Sequence, residues 1–116
     1  MTAMAGTMKR GDLLPVLVAM FRYVDNGQSL SNAIPIGTTT VFTMRLPGNP
    51  TPLIDRATAN VTASSAGVVT IEYEWAAGDT DRPGVYACEF ECDLSGSPLT
   101  LPTKGYIEWT IEDDLG

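Results

Sequence analysis

The chain reads as an all-β protein, an immunoglobulin-like antiparallel β-sandwich of about seven strands with an extended N-terminal arm. Several short segments alternate apolar and polar residues with period 2, as strands with one buried face do, and no stretch carries a convincing helical period. These segments are divided by turn chemistry at regular intervals, including Asp25-Asn-Gly27, Pro47-Gly-Asn-Pro50 and Ala76-Ala-Gly-Asp79. The run Asp79-Thr-Asp-Arg-Pro-Gly-Val-Tyr-Ala-Cys88 then sets Tyr86 after a turn and two residues before a cysteine, the spacing of a tyrosine corner entering a sandwich strand.

Residues 1–12 show neither period and hold three methionines and two glycines, so they are expected to form an arm, either frayed or ordered on a neighbouring subunit. Residues 13–116 are expected to be one sandwich domain. Residues 13–24 form a first strand region interrupted by Pro15, which suits an edge. Leu30, Ala33, Ile34 and Ile36, with Pro35, suggest an extended segment packing locally. Thr38–Leu46 alternates, with Phe42, Met44 and Leu46 on one parity. Leu53–Thr62 alternates less well and is expected to be a short strand closed by Ala63-Ser-Ser-Ala-Gly67.

The clearest alternation places Val69, Ile71, Tyr73 and Trp75 on one face and Thr70, Glu72 and Glu74 on the other. In the corner strand Tyr86, Cys88, Phe90 and Cys92 share the apolar parity, opposite Ala87, Glu89, Glu91 and Asp93. Leu94–Pro102, with two prolines and a Ser-Gly-Ser tip, suggests a loop or ragged edge, and Ile107, Trp109 and Ile111 mark a last strand. Trp75 and Trp109 are core anchors or, alternatively, subunit-interface anchors.

With 116 residues, 44% hydrophobic and 18% charged, the chain can bury one core but not two. No apolar run approaches the ~18 residues of a membrane span. The longest, Leu13–Phe21, contains Pro15 and is followed by no small-residue cleavage site, so no signal peptide is read. Fourteen acidic against seven basic residues give a net charge of −7, which argues against a nucleic-acid partner and favours docking on basic patches. There is no histidine, which removes the commonest general base and metal ligand.

Two cysteines four residues apart on an extended strand stand about 13 Å apart, beyond the roughly 7 Å a disulfide spans, so Cys88 and Cys92 are expected as reduced core residues. Carboxylates are the remaining reactive groups. Glu72, Glu74, Glu89, Glu91, Glu108 and Glu112 all fall on outward parities, where they read as solvated surface or an acidic ladder for a basic partner; catalysis would need a cleft with two facing carboxyls. Asp79, Asp81 and Asp93 offer oxygen ligands for calcium, but the Asp79–Gly84 segment is too short and contains Arg82, so turn capping explains it better. Neither a metal, a cofactor nor an enzymatic activity is expected. A carbohydrate-binding module would need exposed aromatics, for which Tyr23 and Tyr106 are the candidates.

Thr40-Val-Phe-Thr-Met-Arg45, Gly67-Val-Val-Thr-Ile-Glu-Tyr73, Gly78–Phe90 and Leu101-Pro-Thr-Lys-Gly-Tyr106, in that order, resemble the N-terminal domain of tailed-bacteriophage upper baseplate proteins and related small virion proteins. The resemblance spans roughly residues 13 to 114. It implies an immunoglobulin-like assembly module of the tail, baseplate or head-tail region, with a capsid decoration protein as the near variant. The partners would be other virion proteins or further copies in a symmetric assembly, and the place of assembly the host cytoplasm. No catalytic residues are carried over.

Overall fold

A computed structural model of the chain describes residues 5–22, 24–25, 28–29, 34–65 and 67–115, with 24–25 and 28–29 as backbone alone. Among these residues there are strands and no helix: β1 (Ala5–Lys9), β2 (Leu17–Arg22), β3 (Val24–Asp25), β4 (Gln28–Ser29), β5 (Thr40–Arg45), β6 (Ile54–Ser65), β7 (Val68–Tyr73), β8 (Gly84–Leu94), β9 (Ser97–Leu101) and β10 (Ile107–Glu112). One hydrogen-bonded path runs β1-β10-β8-β5-β6-β7-β2, with β9 beside β8, and β3 and β4 form a separate two-stranded ribbon. The turn expected at Asp25-Asn-Gly27 falls on that ribbon, although Asn26 and Gly27 lie outside the described residues, as do Leu30 and Ala33. Ile34 is buried.

The path bends along β6. Its first half, Ile54 to Ala59, pairs with β5, while its second half, Asn60 to Ser65, pairs with β7. One layer is therefore β5-β8-β10 and the other β6-β7-β2, the grouping of strands in an immunoglobulin sandwich. Because β6 belongs to both layers, the path wraps almost into a barrel. Phe42 on β5 stacks on Tyr73 of β7 with ring centroids 4.3 Å apart, and Phe21 of β2 meets Phe90 of β8 edge-on at 6.2 Å. Trp75 and Trp109 continue this aromatic core, 5.7 Å apart and both buried, so neither stands out as an interface anchor. The Trp75 indole donates to the Pro15 carbonyl.

Tyr86 closes its corner as expected: the phenol donates to the Arg82 carbonyl at 2.7 Å. Along β8, Tyr86, Cys88, Phe90 and Cys92 are all buried. Both cysteines are unpaired thiols in the core, and burial pushes the Cys88 thiol up to about 12.

Three expectations need correction. Leu53–Thr62 is not a short strand: β6 runs twelve residues, through Ser65. Its alternation is weak because the register with β5 shifts between Phe42 and Met44, and that with β7 between Val61 and Ala63. Each extra residue flips the parity, so Ile54 and then Ala59 and Val61 point inward. Arg56, at the first irregularity, adopts a left-handed φ of 53°.

Leu94–Pro102 is likewise a hairpin rather than a loop. Ser95 and Gly96 both take positive φ (54° and 89°), the backbone of a two-residue type I′ turn, and the Asp93 carboxylate accepts the Gly96 N–H at 2.7 Å. Pro98 is tolerated because β9 pairs on one side only among the described residues. Residues 102–106 then loop out opposite Glu89, since Leu101 faces Phe90 and Ile107 faces Cys88.

Finally, the described part of the arm is a strand of this domain. Ala5–Lys9 pairs with β10, the one parallel pair in an otherwise antiparallel arrangement, and Met8 is buried. The alternation is invisible in the sequence because the second inward position is Gly6. A Cβ at that position would stand 2.1 Å from the Trp109 ring, so only glycine lets β1 lie against the indole.

Candidate functional site

The outward carboxylates do not form one ladder: Glu108 and Glu112 lie on β10, the strand beside the β8 pair, but the β7 pair is apart. Glu72 and Glu74 belong to the β7 side, whereas Glu89 and Glu91 lie on β8 in the other layer, with β5 and β6 between. Glu91 is bridged by Arg56 Nη1 at 3.1 Å, and Lys9 Nζ stands 3.6 Å from Glu112 Oε1. Arg10 reaches Asp113 and Asp114 at 3.2 and 3.7 Å. These pairs are exposed, worth at most about 1 kcal/mol each in water. Their effect is to place cations among some of the acids, while Glu89 and Glu108 remain near neighbours on the outer face of β8 and β10.

The aspartates work as caps. Asp79 Oδ2 accepts the Tyr73 phenol at 2.6 Å and the Ala76 N–H at 2.8 Å, which ties the turn after β7 back onto the strand. Burial first, and then the Asp79 hydrogen bond and charge, hold the Tyr73 phenol well above its ordinary range. Asp93 caps the β8–β9 turn at a distance along the chain from Asp79 and Asp81, and among the described residues no cluster of metal-ligating side chains forms.

Tyr106 is 40% exposed and walls a recess of about 150 Å³ on the outer face of β5 and β8, with Thr43, Arg45, Pro52, Ala87 and Glu89. A second shallow recess, about 140 Å³, lies beyond Pro52 against Leu46, Leu53, Arg82 and Tyr86. No second aromatic lines the Tyr106 recess, and Tyr23 lies outside the described residues.

The two ends of the strand path differ from these faces in kind. At one end β2 turns Val18 and Met20 outward, 45% and 59% exposed, with Leu14 at 72% just upstream. Among the described residues the outer edge of β2 has no strand beside it, and apolar side chains on an open edge are the usual ingredients of a strand-to-strand or face-to-face contact. At the other end the edge strand is β1, with Thr7 and Lys9 exposed. Sequence reading identified the Pro15-interrupted edge but not β1 itself, since a five-residue strand with one buried side chain leaves almost no periodic signal. Comparison with known proteins finds no matching family model, no matching curated protein and no matching solved structure.

Proposed function

We propose that this chain is a non-enzymatic structural module of a tailed-bacteriophage particle, assembling in the tail, baseplate or head-tail region with other virion proteins or with copies of itself. The observation that carries the reading is the pair of strands at the ends of the path that are open among the described residues, one of them lined by Leu14, Val18 and Met20. Such edges supply affinity through main-chain hydrogen bonds and apolar contact without any reacting group. Support also comes from the ordered motifs over residues 13–114, which resemble small virion proteins of this kind. Repetition in a symmetric particle lets a weak contact per copy suffice.

The reading is tested by purifying particles from a producing culture and locating the chain in them by mass spectrometry and antibody-gold labelling. Label on tails or tail tips supports it, and label over the head selects capsid decoration instead. A chain recovered only outside particles overturns the virion assignment.

A further inference from the structure

We infer that β1 is an exchangeable strand: in the presence of a second copy of this chain, it leaves its own β10 and pairs with the β10 of that copy, reciprocally. This goes beyond the assembly role and does not depend on which particle, if any, the chain enters.

The ladder and ion-pair partners of β1 belong to β10 or the tail just after it. The ladder runs Ala5↔Glu108 to Lys9↔Glu112, with the Arg10 N–H continuing to the Glu112 carbonyl. Gly6 lies against Trp109, and the cations Lys9 and Arg10 meet Glu112, Asp113 and Asp114. A second copy's β10 presents the same groups at the same spacing, so the exchanged strand loses none of these contacts.

Immediately after this unit the chain is anchored elsewhere. The Gly11 N–H donates to the Thr80 carbonyl at 3.0 Å, and the buried Thr80 hydroxyl donates to the Asp12 carbonyl at 2.8 Å. The hinge is therefore confined to the turn in which the Asp12 N–H reaches back to the Lys9 carbonyl. Gly11 occupies it with φ 80°, a conformation required only while the turn is closed, and a Cβ there would meet nothing within 4 Å.

Release is favoured by what β1 covers. Met8 is its one deeply buried side chain, whereas β10 contributes Ile107, Trp109 and Ile111. Gly6 itself contributes no side chain and meets only the benzo edge of the Trp109 indole, so lifting β1 uncovers little beyond Met8 and that edge. What keeps β1 at home is its tether, and high local concentration of copies competes with a tether.

The register supplies the test. Thr7 and Thr110 stand opposite each other on the outer face, and the native thiols Cys88 and Cys92 are buried. Chains carrying Thr7→Cys are mixed with chains carrying Thr110→Cys, unfolded and refolded together at high concentration, and oxidised. Exchange yields a disulfide heterodimer well in excess of that from a Thr7→Cys and Thr62→Cys pair, whose second position lies on β6 in the other layer. Adding Gly6→Val to the Thr7→Cys chain returns the yield to the control level, because valine meets the Trp109 ring. In the otherwise native chain, Gly11→Ala strains only the closed turn and raises the dimer fraction, on the order of tenfold per hinge. Heterodimer no more abundant than the control, or a dimer fraction unmoved by Gly11→Ala, overturns the inference.

Discussion

Strands β8 and β1 lie in the same sheet with only β10 between them, yet they are held by different means. β8 has hydrogen-bonded neighbours on both sides and sends Tyr86, Cys88, Phe90 and Cys92 into the core. Among the described residues β1 has one neighbour, one deeply buried side chain and three exposed ion pairs at its end. Both satisfy their backbones along the ladder. Side-chain burial, at about 25 cal/mol per Å² of apolar surface, is what makes one a pillar and the other a strap.

The contrast is broken or sharpened first by truncation at its strong end. Phe90→Ala removes a ring that touches both Phe21 and Phe42, and should cost about 3–5 kcal/mol in urea unfolding. Met8→Ala, by comparison, should cost about 2 kcal/mol or less. Equal losses at the two positions would erase the distinction.

Gly6→Val comes next, with an expected loss of about 2 kcal/mol, because it forces β1 off Trp109 and re-exposes Met8. Its signature is local: amide exchange along Ala5–Lys9 becomes fast and Trp109 fluorescence shifts to the red, while protection of β8 persists. Loss of protection in β8 as well would mean that the strap is part of the cooperative core.

Alkaline pH probes β8 through Cys88, with the raised Tyr73 phenol of β7 adding to the slope at higher pH. The Cys88 thiol is raised in the folded state from its ordinary value near 9 to about 12, so between those values the native chain holds a proton that the unfolded chain has lost. Stability is then fully present below pH 9 and falls as pH rises toward 12, by up to about 1.4 kcal/mol per pH unit from this group. Cys88→Ala should flatten the slope measured by urea midpoints. A slope unchanged by that substitution would assign it to other groups.

The smallest effect expected is at the corner. Tyr86→Phe removes the bond to the Arg82 carbonyl but keeps the ring, and should cost about 1 kcal/mol without altering the exchange behaviour of β1.

These particular strands also show how far the residues could be read directly. β7, β8 and β10 were legible because their burial follows strict alternation, and the corner because Tyr86 stands at a fixed offset from its turn. β6 was not, since two irregularities reset its parity, the first of them leaving Ile54 and Val61 out of phase. β9 was hidden by Pro98, which is compatible with an edge but not with a central strand, and only the fold says which it is. The charged surface was legible only in part: the charge of the chain is in its composition, but the pairing of Arg56 with Glu91 and of Lys9 with Glu112 joins residues far apart in sequence.

By itself, then, the sequence determined the fold class, the inward face of the central strands and the tyrosine corner, because each depends on residues a few positions apart and on a period imposed by the backbone. The tertiary structure alone decided that residues 5–9 form a strand, that Gly6 must be glycine and that the carboxylates of β7 lie apart from those of β8 and β10. Those outcomes rest on what a distant strand places opposite each residue. Trp109 gives Gly6 its meaning, and over a hundred positions separate the two.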